Sequence, residues 1–319
     1  MQHPKRVWTD EENADIGLSG LMAEYRTYLT GRARPAARGT IDKCAKSMKS
    51  LVASIERAGE PPILGSLTPA AVSRWISEQR SHVDEQTGIK GRAEEGIASR
   101  LAAVKVFTNR YVYRHLDLTT VDLLARVERL RFEEKPLPRL TDEEIEAILT
   151  CFNRGSDEDV RDLALITVFL ATGLRFREVV EEMTVSGFDR ISGRFTVIGK
   201  GGQFRTVQLS PRALKTVRRY LTSRPEADSD QFWLREDGLP LTYWGGMLVF
   251  RRVKARSGVT RLHAHVRRHT FAQIALQKGA ERAMVQDMMG HRTDRMARRY
   301  AGTIRQETAT AAMPRCSPI

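Results

Sequence analysis

The first part of the chain alternates between stretches with helical hydrophobic spacing and short polar breaks. Four stretches carry apolar side chains every three or four positions, which predicts four amphipathic helices. These helices are predicted at residues 15–30, 40–58, 68–80 and 97–115. A fifth, short helix is compatible with residues 117–130, and Thr68 followed by Pro69 is typical of a helix start. The pattern predicts an all-helical domain over residues 14–130, after a loose polar lead at 1–13.

The second part begins after a break at residues 131–139, which are polar and contain two prolines, so we expect an extended linker there. Thr141 and Glu144 then have the spacing of a capping box. Further helices are predicted at residues 141–152, 157–172, 211–222 and 242–257. Short alternating strands at 194–198 and 206–209 flank a glycine-rich turn, which predicts a hairpin. We expect a mixed α+β domain over residues 140–302 and a tail over 303–319, so the fold class is mainly α with a small β-hairpin.

The C-terminal region contains three further helical stretches. The first carries His265 and Arg268 three positions apart, which places both on one face of a helix. The second ends at Gly290, because glycine tolerates the left-handed conformation that commonly ends helices. The third carries Tyr300, nine residues after His291. A rigid framework is therefore predicted for these polar side chains.

Charge then narrows the choice of partner. The 319 residues include 52 Lys and Arg against 39 Asp and Glu, a formal net charge of +13. Residues 250–300 alone carry thirteen basic and three acidic side chains. A positive field concentrated in this way favours a polyanionic partner, and nucleic acid is the leading candidate.

Cysteine spacing and hydropathy indicate the cellular compartment in which we expect the protein to act. Cys44, Cys151 and Cys316 lie far apart and fit neither a metal-site spacing nor a disulfide framework. This pattern is typical of a reducing compartment. There is no apolar run of membrane length, and the first residues do not read as a signal peptide. We expect a cytoplasmic protein without a membrane partner.

Six polar positions resemble the signature of the tyrosine recombinase (phage integrase) family. Arg175 ends the sequence ATGLR, Lys200 lies in IGKGG, and His265 and Arg268 form the His-x-x-Arg pair. His291 follows Met289-Gly290, and Tyr300 completes the set in the family's order. The resemblance implies a site-specific DNA recombinase that cleaves and rejoins DNA through a 3′-phosphotyrosyl intermediate. It also implies a helical core-binding domain before the catalytic domain. The sequence departs from the family at Arg267 and Met289, where leucine is usual.

The chemistry explains why these residue types are needed. Two guanidinium groups, those of Arg175 and Arg268, can grip phosphoryl oxygens and remain charged. With this clamp neither a metal nor another cofactor is required, and a phosphotyrosyl bond conserves the energy for rejoining without ATP. A tyrosine has a pKa of about 10, so it needs a base and a positive site.

The family resemblance implies one role for each remaining group. Tyr300 is the nucleophile, His265 the candidate base and Lys200 the candidate acid for the leaving 5′ oxygen. His291 would form a hydrogen bond with the phosphate or the transition state. We expect His269 to support this group without joining it, and Glu178 to orient or pack. Further basic side chains are candidates for DNA contacts: Arg100, Lys105, Arg110, Arg205, Arg251 and Arg267. Arg267 would contact phosphate only if its side chain points outward.

The resemblance implies double-stranded DNA at a specific site as the partner, bound by a homotetramer on paired sites, with an accessory directionality protein as a further possible partner. The sequence leaves open whether the reaction integrates, excises or resolves DNA, and whether the chain serves a mobile element. Two alternatives remain: a nicking-closing enzyme similar to type IB topoisomerases, and a non-catalytic DNA-binding or architectural protein. The second should lack at least one of the six groups, and none is missing.

Overall fold

The computed structural model describes residues 13–82, 91–132, 136–153, 155–199, 203–290 and 295–316. The chain separates into two compact units, Met1–Glu134 and Lys135–Ile319. The described part is mostly helical with a two-stranded antiparallel sheet, which confirms the predicted fold class.

The first unit is built from helices whose apolar faces meet in one core. Its helices are α1 (Leu18–Thr30), α2 (Arg38–Arg57), α3 (Pro69–Ser81) and α4 (Glu94–Val106). Trp75 of α3 is fully buried, as is Leu51 of α2, and both belong to the apolar cluster of this unit. Helix α3 begins as predicted: Thr68 Oγ1 accepts a hydrogen bond from Ala71 N, and Pro69 occupies the first helical position. Capping and burial therefore act together at this helix start.

The first unit departs from the sequence prediction near its end. Helix α4 gives way at residue 107 to a π-helical segment, Phe107–Tyr113. The predicted fifth helix at residues 117–130 is wrong, because that stretch forms turns. Its polar side chains bond to nearby backbone instead: Thr119 Oγ1 donates to Val121 O at 2.8 Å, and Asp122 Oδ1 accepts from Leu124 N at 3.2 Å. Such local bonds compete with helical hydrogen bonding.

The second unit contains the remaining elements. They are α5 (Asp142–Thr150), α6 (Asp157–Thr172), α7 (Phe176–Val180), β1 (Arg194–Gly199), β2 (Gln203–Gln208), α8 (Pro211–Ser223), α9 (Tyr243–Ser257), α10 (Ala264–Gln277), α11 (Arg282–Met289) and α12 (Arg295–Cys316). The predicted capping box is present, with Thr141 Oγ1 accepting from Glu144 N and Glu144 accepting from Thr141 N. Helix α6 is buried along most of its length and packs against α8 and α10, so it is the centre of this unit.

The hairpin directs one basic side chain inward. Strands β1 and β2 pair antiparallel, with Val197 opposite Arg205 and Ile198 opposite Phe204. Side chains alternate between faces along a strand. Val197 is fully buried and Arg205 mostly covered, whereas Ile198 and Phe204 are exposed. The glycine-rich turn with Lys200 lies outside the described residues.

Helix α12 crosses the position at which we expected a separate tail. It runs without interruption from Arg295 to Cys316, through the predicted boundary at residue 303. None of the described helices is both long and apolar enough to span a membrane. Within the described ranges, no three His, Cys, Asp or Glu side chains are grouped so that they could hold a metal ion.

Candidate active site

Arg175 is positioned by a helix end that only glycine accommodates well. Helix α6 stops at Gly173, which has φ 59°, and a Cβ on that residue would lie 2.6 Å from the Phe271 ring. Arg175 follows directly and begins α7. Its guanidinium donates from Nη1 to Glu178 Oε1 at 2.7 Å and from Nη2 to Gly290 O at 2.6 Å. The first predicted arginine is therefore held by groups 3 and 115 residues away in the sequence.

Glu178 joins two basic side chains from different elements. Its side chain is 4% exposed, and its Oε2 accepts from Arg205 Nη2 at 2.5 Å and from Arg175 N at 2.7 Å. Burial alone would raise the pKa of Glu178, but the hydrogen bonds from Arg205 and Arg175 outweigh it and hold the pKa below its usual value. Arg205, which was predicted to contact DNA, has its guanidinium paired with Glu178 and ties β2 to the clamp.

We expect Glu178→Gln to lower the free energy of unfolding at neutral pH by about 2–4 kcal/mol, since it leaves Arg175 and Arg205 facing a neutral amide. A carboxyl with a depressed folded-state pKa stabilises the fold above its unfolded-state pKa. That contribution is lost as the pH falls through the folded-state value. Urea unfolding of both proteins from neutral pH downward measures it, and the difference should shrink below the ordinary pKa of 4.5.

Glu181→Gln is the matched control for this prediction. Glu181 contacts Arg177 at 3.5 Å, and the Arg177 side chain is 74% exposed. Exposed ion pairs contribute little, so the control should lie within about 0.5 kcal/mol of the original chain. Equal stability losses in the two variants would contradict the role given to Glu178.

Arg268 holds two carbonyl groups at the ends of neighbouring helices. It is 7% exposed; its Nη1 donates to Gly173 O at 2.5 Å and its Nη2 to Met289 O. Burial, helped by the nearby charge of Arg175, lowers the pKa of Arg268 to about 10. The guanidinium therefore remains charged at neutral pH. Because Met289 directly precedes Gly290, the two arginines bond to adjacent peptide carbonyls.

Arg267 corrects the prediction of an outward DNA contact. The residue is 1% exposed, its Nη1 donates to Leu174 O at 2.8 Å, and its guanidinium carbon lies 3.7 Å from the Phe169 ring centroid. Burial, together with Arg268, lowers the pKa of Arg267 well below the usual value. The ring face and the carbonyl compensate the buried charge in part. Arg267 thus supports the segment that leads to Arg175.

Tyr300 lies beside His269. It is 1% exposed and belongs to an apolar cluster with Leu137, Ala272, Val285 and Met289. Its Oη is 3.1 Å from His269 Nδ1. Burial raises the pKa of Tyr300, and the charges of Arg268 and Arg299 act in the opposite direction. The nearest imidazole described for this hydroxyl is therefore one that the sequence prediction placed outside the reacting group.

His265 has a different position from the one that its predicted role suggested. It is exposed on α10, one turn before His269, and the two rings are 6.4 Å apart between centroids. The preceding His263 caps the same helix by accepting a hydrogen bond from Val266 N. In the sequence, His269 was indicated only by its position four residues after His265, which places both side chains on one helix face. Lys200 and His291 lie outside the described residues.

The sequence profile of the phage integrase family matches residues 138–307, more than half of the chain. The chain belongs to the phage integrase family. The prediction of an enzyme that cleaves and rejoins DNA through a phosphotyrosyl intermediate is thereby confirmed at the level of the family.

Similar proteins of the phage integrase family cover most of the chain. It is 28% identical to tyrosine recombinase XerC of Haemophilus ducreyi over 225 residues, which are 70% of each chain. It is 26% identical to tyrosine recombinase XerD of Halalkalibacterium halodurans over 264 residues, 81% of this chain and 85% of the relative.

Solved structures of the family share the fold at lower identity. The XerH site-specific recombinase in a post-cleavage complex superposes with a TM-score of 0.63 at 19% identity, covering 98% of this chain and 99% of that one. The Tn1549 transposon integrase in complex with a circular intermediate DNA has a TM-score of 0.67 at 15% identity, covering 93% and 100%. The similarity in fold to these structures therefore extends over both units of the chain.

The other side chains that were predicted to contact DNA differ in exposure and in whether they have a partner within the protein. Arg110 and Arg251 are exposed. Arg100 is partly covered and donates to Gln79 Oε1 at 3.2 Å, and Lys105 Nζ donates to Val127 O at 2.5 Å. Arg110 and Arg251 are thus the better candidates for phosphate contacts, and Arg100 and Lys105 would first have to exchange an internal partner.

Proposed function

We propose that Arg175, Arg268 and Tyr300 form one centre that cleaves a DNA phosphodiester and holds the 3′ end covalently. The observation that carries this proposal is the shared anchoring of the two arginines. Arg175 donates to Gly290 O and Arg268 to Met289 O, so both guanidinium groups flank one short peptide segment. Arg268 also influences the pKa of Tyr300 through its charge.

Two cations at this point suit the chemistry of phosphoryl transfer. Negative charge accumulates on the non-bridging oxygens as the fifth bond to phosphorus forms. Guanidinium groups that are already oriented stabilise this charge without reorganisation in the transition state. The carbonyl and carboxylate partners of Arg175 and Arg268 supply that orientation before DNA arrives.

The other members of the signature complete the proposal. Lys200 protonates the leaving 5′ oxygen from the hairpin, and β2 of that hairpin is tied to the clamp through Arg205 and Glu178. His265 is exposed on the same helix as Arg268, which suits a contact with the phosphate. His291 follows Gly290 directly and is assigned a hydrogen bond to the same group.

We propose double-stranded DNA at a specific site as the substrate. Residues 14–130 would bind DNA as a helical core-binding domain, with Arg110 exposed for phosphate contact, and residues 140–302 would carry the chemistry. Residues 131–139 would link them. Because the net charge is +13, attraction to the phosphate backbone should be strong and should weaken with salt.

The assembly follows from the number of strands that must be cut. Exchange between two duplexes requires four strand cleavages, and each chain supplies one Tyr300. We therefore propose that a homotetramer binds paired sites. The reaction would take place in the cytoplasm, and an accessory protein would set its direction. The DNA would come from a mobile element. Integration, excision and resolution would share the same chemical steps.

The test is covalent trapping. The purified full chain is incubated with fragmented DNA of its source in the presence of EDTA, denatured, and separated from unbound DNA. We expect protein attached to 3′ ends, with the modified peptide containing Tyr300. Sequencing of the trapped DNA gives the site.

Other outcomes separate the alternatives. Adducts at unrelated sequences, with relaxation of supercoiled DNA but no recombinant junctions, would favour the nicking-closing enzyme. DNA binding without any adduct, on intact supercoiled DNA as well as on fragments, would favour the non-catalytic protein. Adducts that disappear with EDTA would contradict the metal-independent clamp.

A further inference from the structure

His269 has a contact that the signature does not assign. It lies on α10 one residue after Arg268, and its Nδ1 is 3.1 Å from Tyr300 Oη. The ring centroids of the two side chains are 5.6 Å apart. His265, the predicted base, is instead exposed on the preceding turn. Among the described residues, His269 places an imidazole nitrogen within hydrogen-bond distance of the reacting oxygen.

We propose that His269 is a catalytic residue that accepts the proton of Tyr300 during cleavage and returns it during rejoining. This inference rests on the proposed role of Tyr300 as nucleophile. It assigns to His265 a contact with the phosphate in place of proton transfer.

The burial of Tyr300 favours a protein group, and not bulk water, as the acceptor of its proton. The residue is 1% exposed, so bulk water has little access to it. A proton that leaves the hydroxyl must first pass to a group within hydrogen-bond distance. His269 Nδ1 meets this geometric requirement. The apolar cluster around the ring, which includes Val285 and Met289, excludes solvent further.

The protonation state of His269 fits an acceptor. Burial lowers the pKa of His269 to about 4, and neighbouring basic groups act in the same direction. These groups are His265, Arg299, His263 and Arg268. The imidazole is therefore neutral at neutral pH, and in the tautomer with hydrogen on Nε2 its Nδ1 has a free lone pair. A bound phosphate diester adds negative charge, which makes protonation of His269 easier when DNA is present.

The proposed step balances without a cofactor. Tyr300 Oη forms a bond to phosphorus while its O–H bond breaks, and the proton moves to His269 Nδ1. The bond from phosphorus to the 5′ oxygen breaks, and that oxygen takes a proton from the group proposed as acid, Lys200. In rejoining, the 5′ hydroxyl attacks phosphorus and gives its proton back to Lys200, while the tyrosine oxygen leaves and takes the proton back from His269. Nothing is oxidised or reduced.

A substitution that keeps the hydrogen bond but removes the base tests the step. The Oδ1 of an asparagine at position 269 can accept from Tyr300 as Nδ1 does, but an amide cannot take up the proton. We expect His269→Asn to slow adduct formation at neutral pH by about 10²–10⁴-fold, the usual range for general-base catalysis. DNA affinity should stay within about twofold, because binding precedes proton transfer. Adduct formation is followed on a duplex oligonucleotide that carries the trapped sequence.

The pH profile separates a proton acceptor from a group that only positions Tyr300. Without a base, the rate of His269→Asn should rise by about tenfold per pH unit on the alkaline side, following the fraction of tyrosinate. The original chain should be much less dependent on pH there. A defect that stays constant across the same range would show that His269 only positions the tyrosine, and would overturn the proposal.

A modified substrate identifies which proton is involved. In an oligonucleotide with sulfur in place of the bridging 5′ oxygen, the leaving group needs no proton. The defect of His269→Asn should persist on this substrate. A defect that vanishes would assign His269 to the leaving group and overturn the proposal.

Two controls keep the result interpretable. His82→Asn replaces an exposed histidine of the first unit and should leave the rate unchanged. If His269→Asn fails to fold by urea unfolding, His269→Gln takes its place with the same expectation for the pH profile. If the original chain forms the Tyr300 adduct and the variants at position 269 form it equally fast, the proposed role of His269 is refuted. The proposed function of Tyr300 would still stand. Absence of any Tyr300 adduct in the original chain would instead refute the proposed function.

Discussion

Tyr300→Phe is expected to abolish covalent attachment to DNA while leaving binding and folding close to those of the original chain. The ring packs in the apolar cluster with Ala272 and Val285, and phenylalanine preserves that packing. The substitution removes the hydrogen bond to His269, and such a bond has a net value of about 1 kcal/mol. Loss of a nucleophile removes a whole reaction path, so adduct formation should fall by about 10⁴-fold or more. Denaturing electrophoresis of protein with labelled DNA measures it.

Tyr220→Phe is the matched control for this result. Tyr220 is equally buried in the same unit; its hydroxyl donates to Phe232 O at 3.0 Å and accepts from Leu234 N at 2.9 Å. This variant should lose stability, by about 1–3 kcal/mol, yet still form the adduct. An adduct that persists in Tyr300→Phe would show that another residue is the nucleophile.

Arg175→Ala is expected to slow cleavage on the order of 10³-fold. DNA affinity should change by only a few fold, since a chain with 52 Lys and Arg keeps a strong attraction to the phosphate backbone without this one. The reason is that charge on the phosphoryl oxygens grows only in the transition state, where the guanidinium interaction becomes stronger. Arg175→Lys should recover part of the rate, because it keeps the charge but loses the paired donors. Single-turnover cleavage and binding titrations of the same variants separate the two effects.

Arg177→Ala serves as the control on the same helix. Arg177 is 74% exposed and lies near Glu181 and the Tyr243 ring, away from the groups that hold Arg175. Its removal should leave cleavage unchanged. Parallel losses of affinity and cleavage rate in Arg175→Ala would mean that Arg175 contributes to binding in general and not to the transition state.

Local signals in the sequence predicted much of the fold. Thr68 with Pro69 marks a helix start, and Thr141 with Glu144 forms the capping box that its spacing indicated. Gly173 and Gly290 end helices in the left-handed conformation, as a glycine after an apolar run suggests. These features depend on residues within one or two turns of each other, so the sequence alone contains the necessary information.

The site itself depended on contacts between distant residues. The sequence left the direction of Arg267 open, and Phe169 and the Leu174 carbonyl, about a hundred residues earlier, hold it in the core. The contact between His269 and Tyr300 depends on how α10 and α12 pack. No periodicity of either helix fixes that packing. Family resemblance indicated which groups react, and tertiary packing decided which of them touch.

The unbroken course of α12 has a mechanical consequence. Tyr300 lies in the second turn of a helix that continues to Cys316, about 24 Å further at 1.5 Å per residue. The helix connects the turn that carries the reacting oxygen to the turns that lie beyond it. A small displacement of the distal turns would tilt the tyrosine against His269. We therefore expect that a contact made at the far end of α12 would change the rate at which Tyr300 reacts.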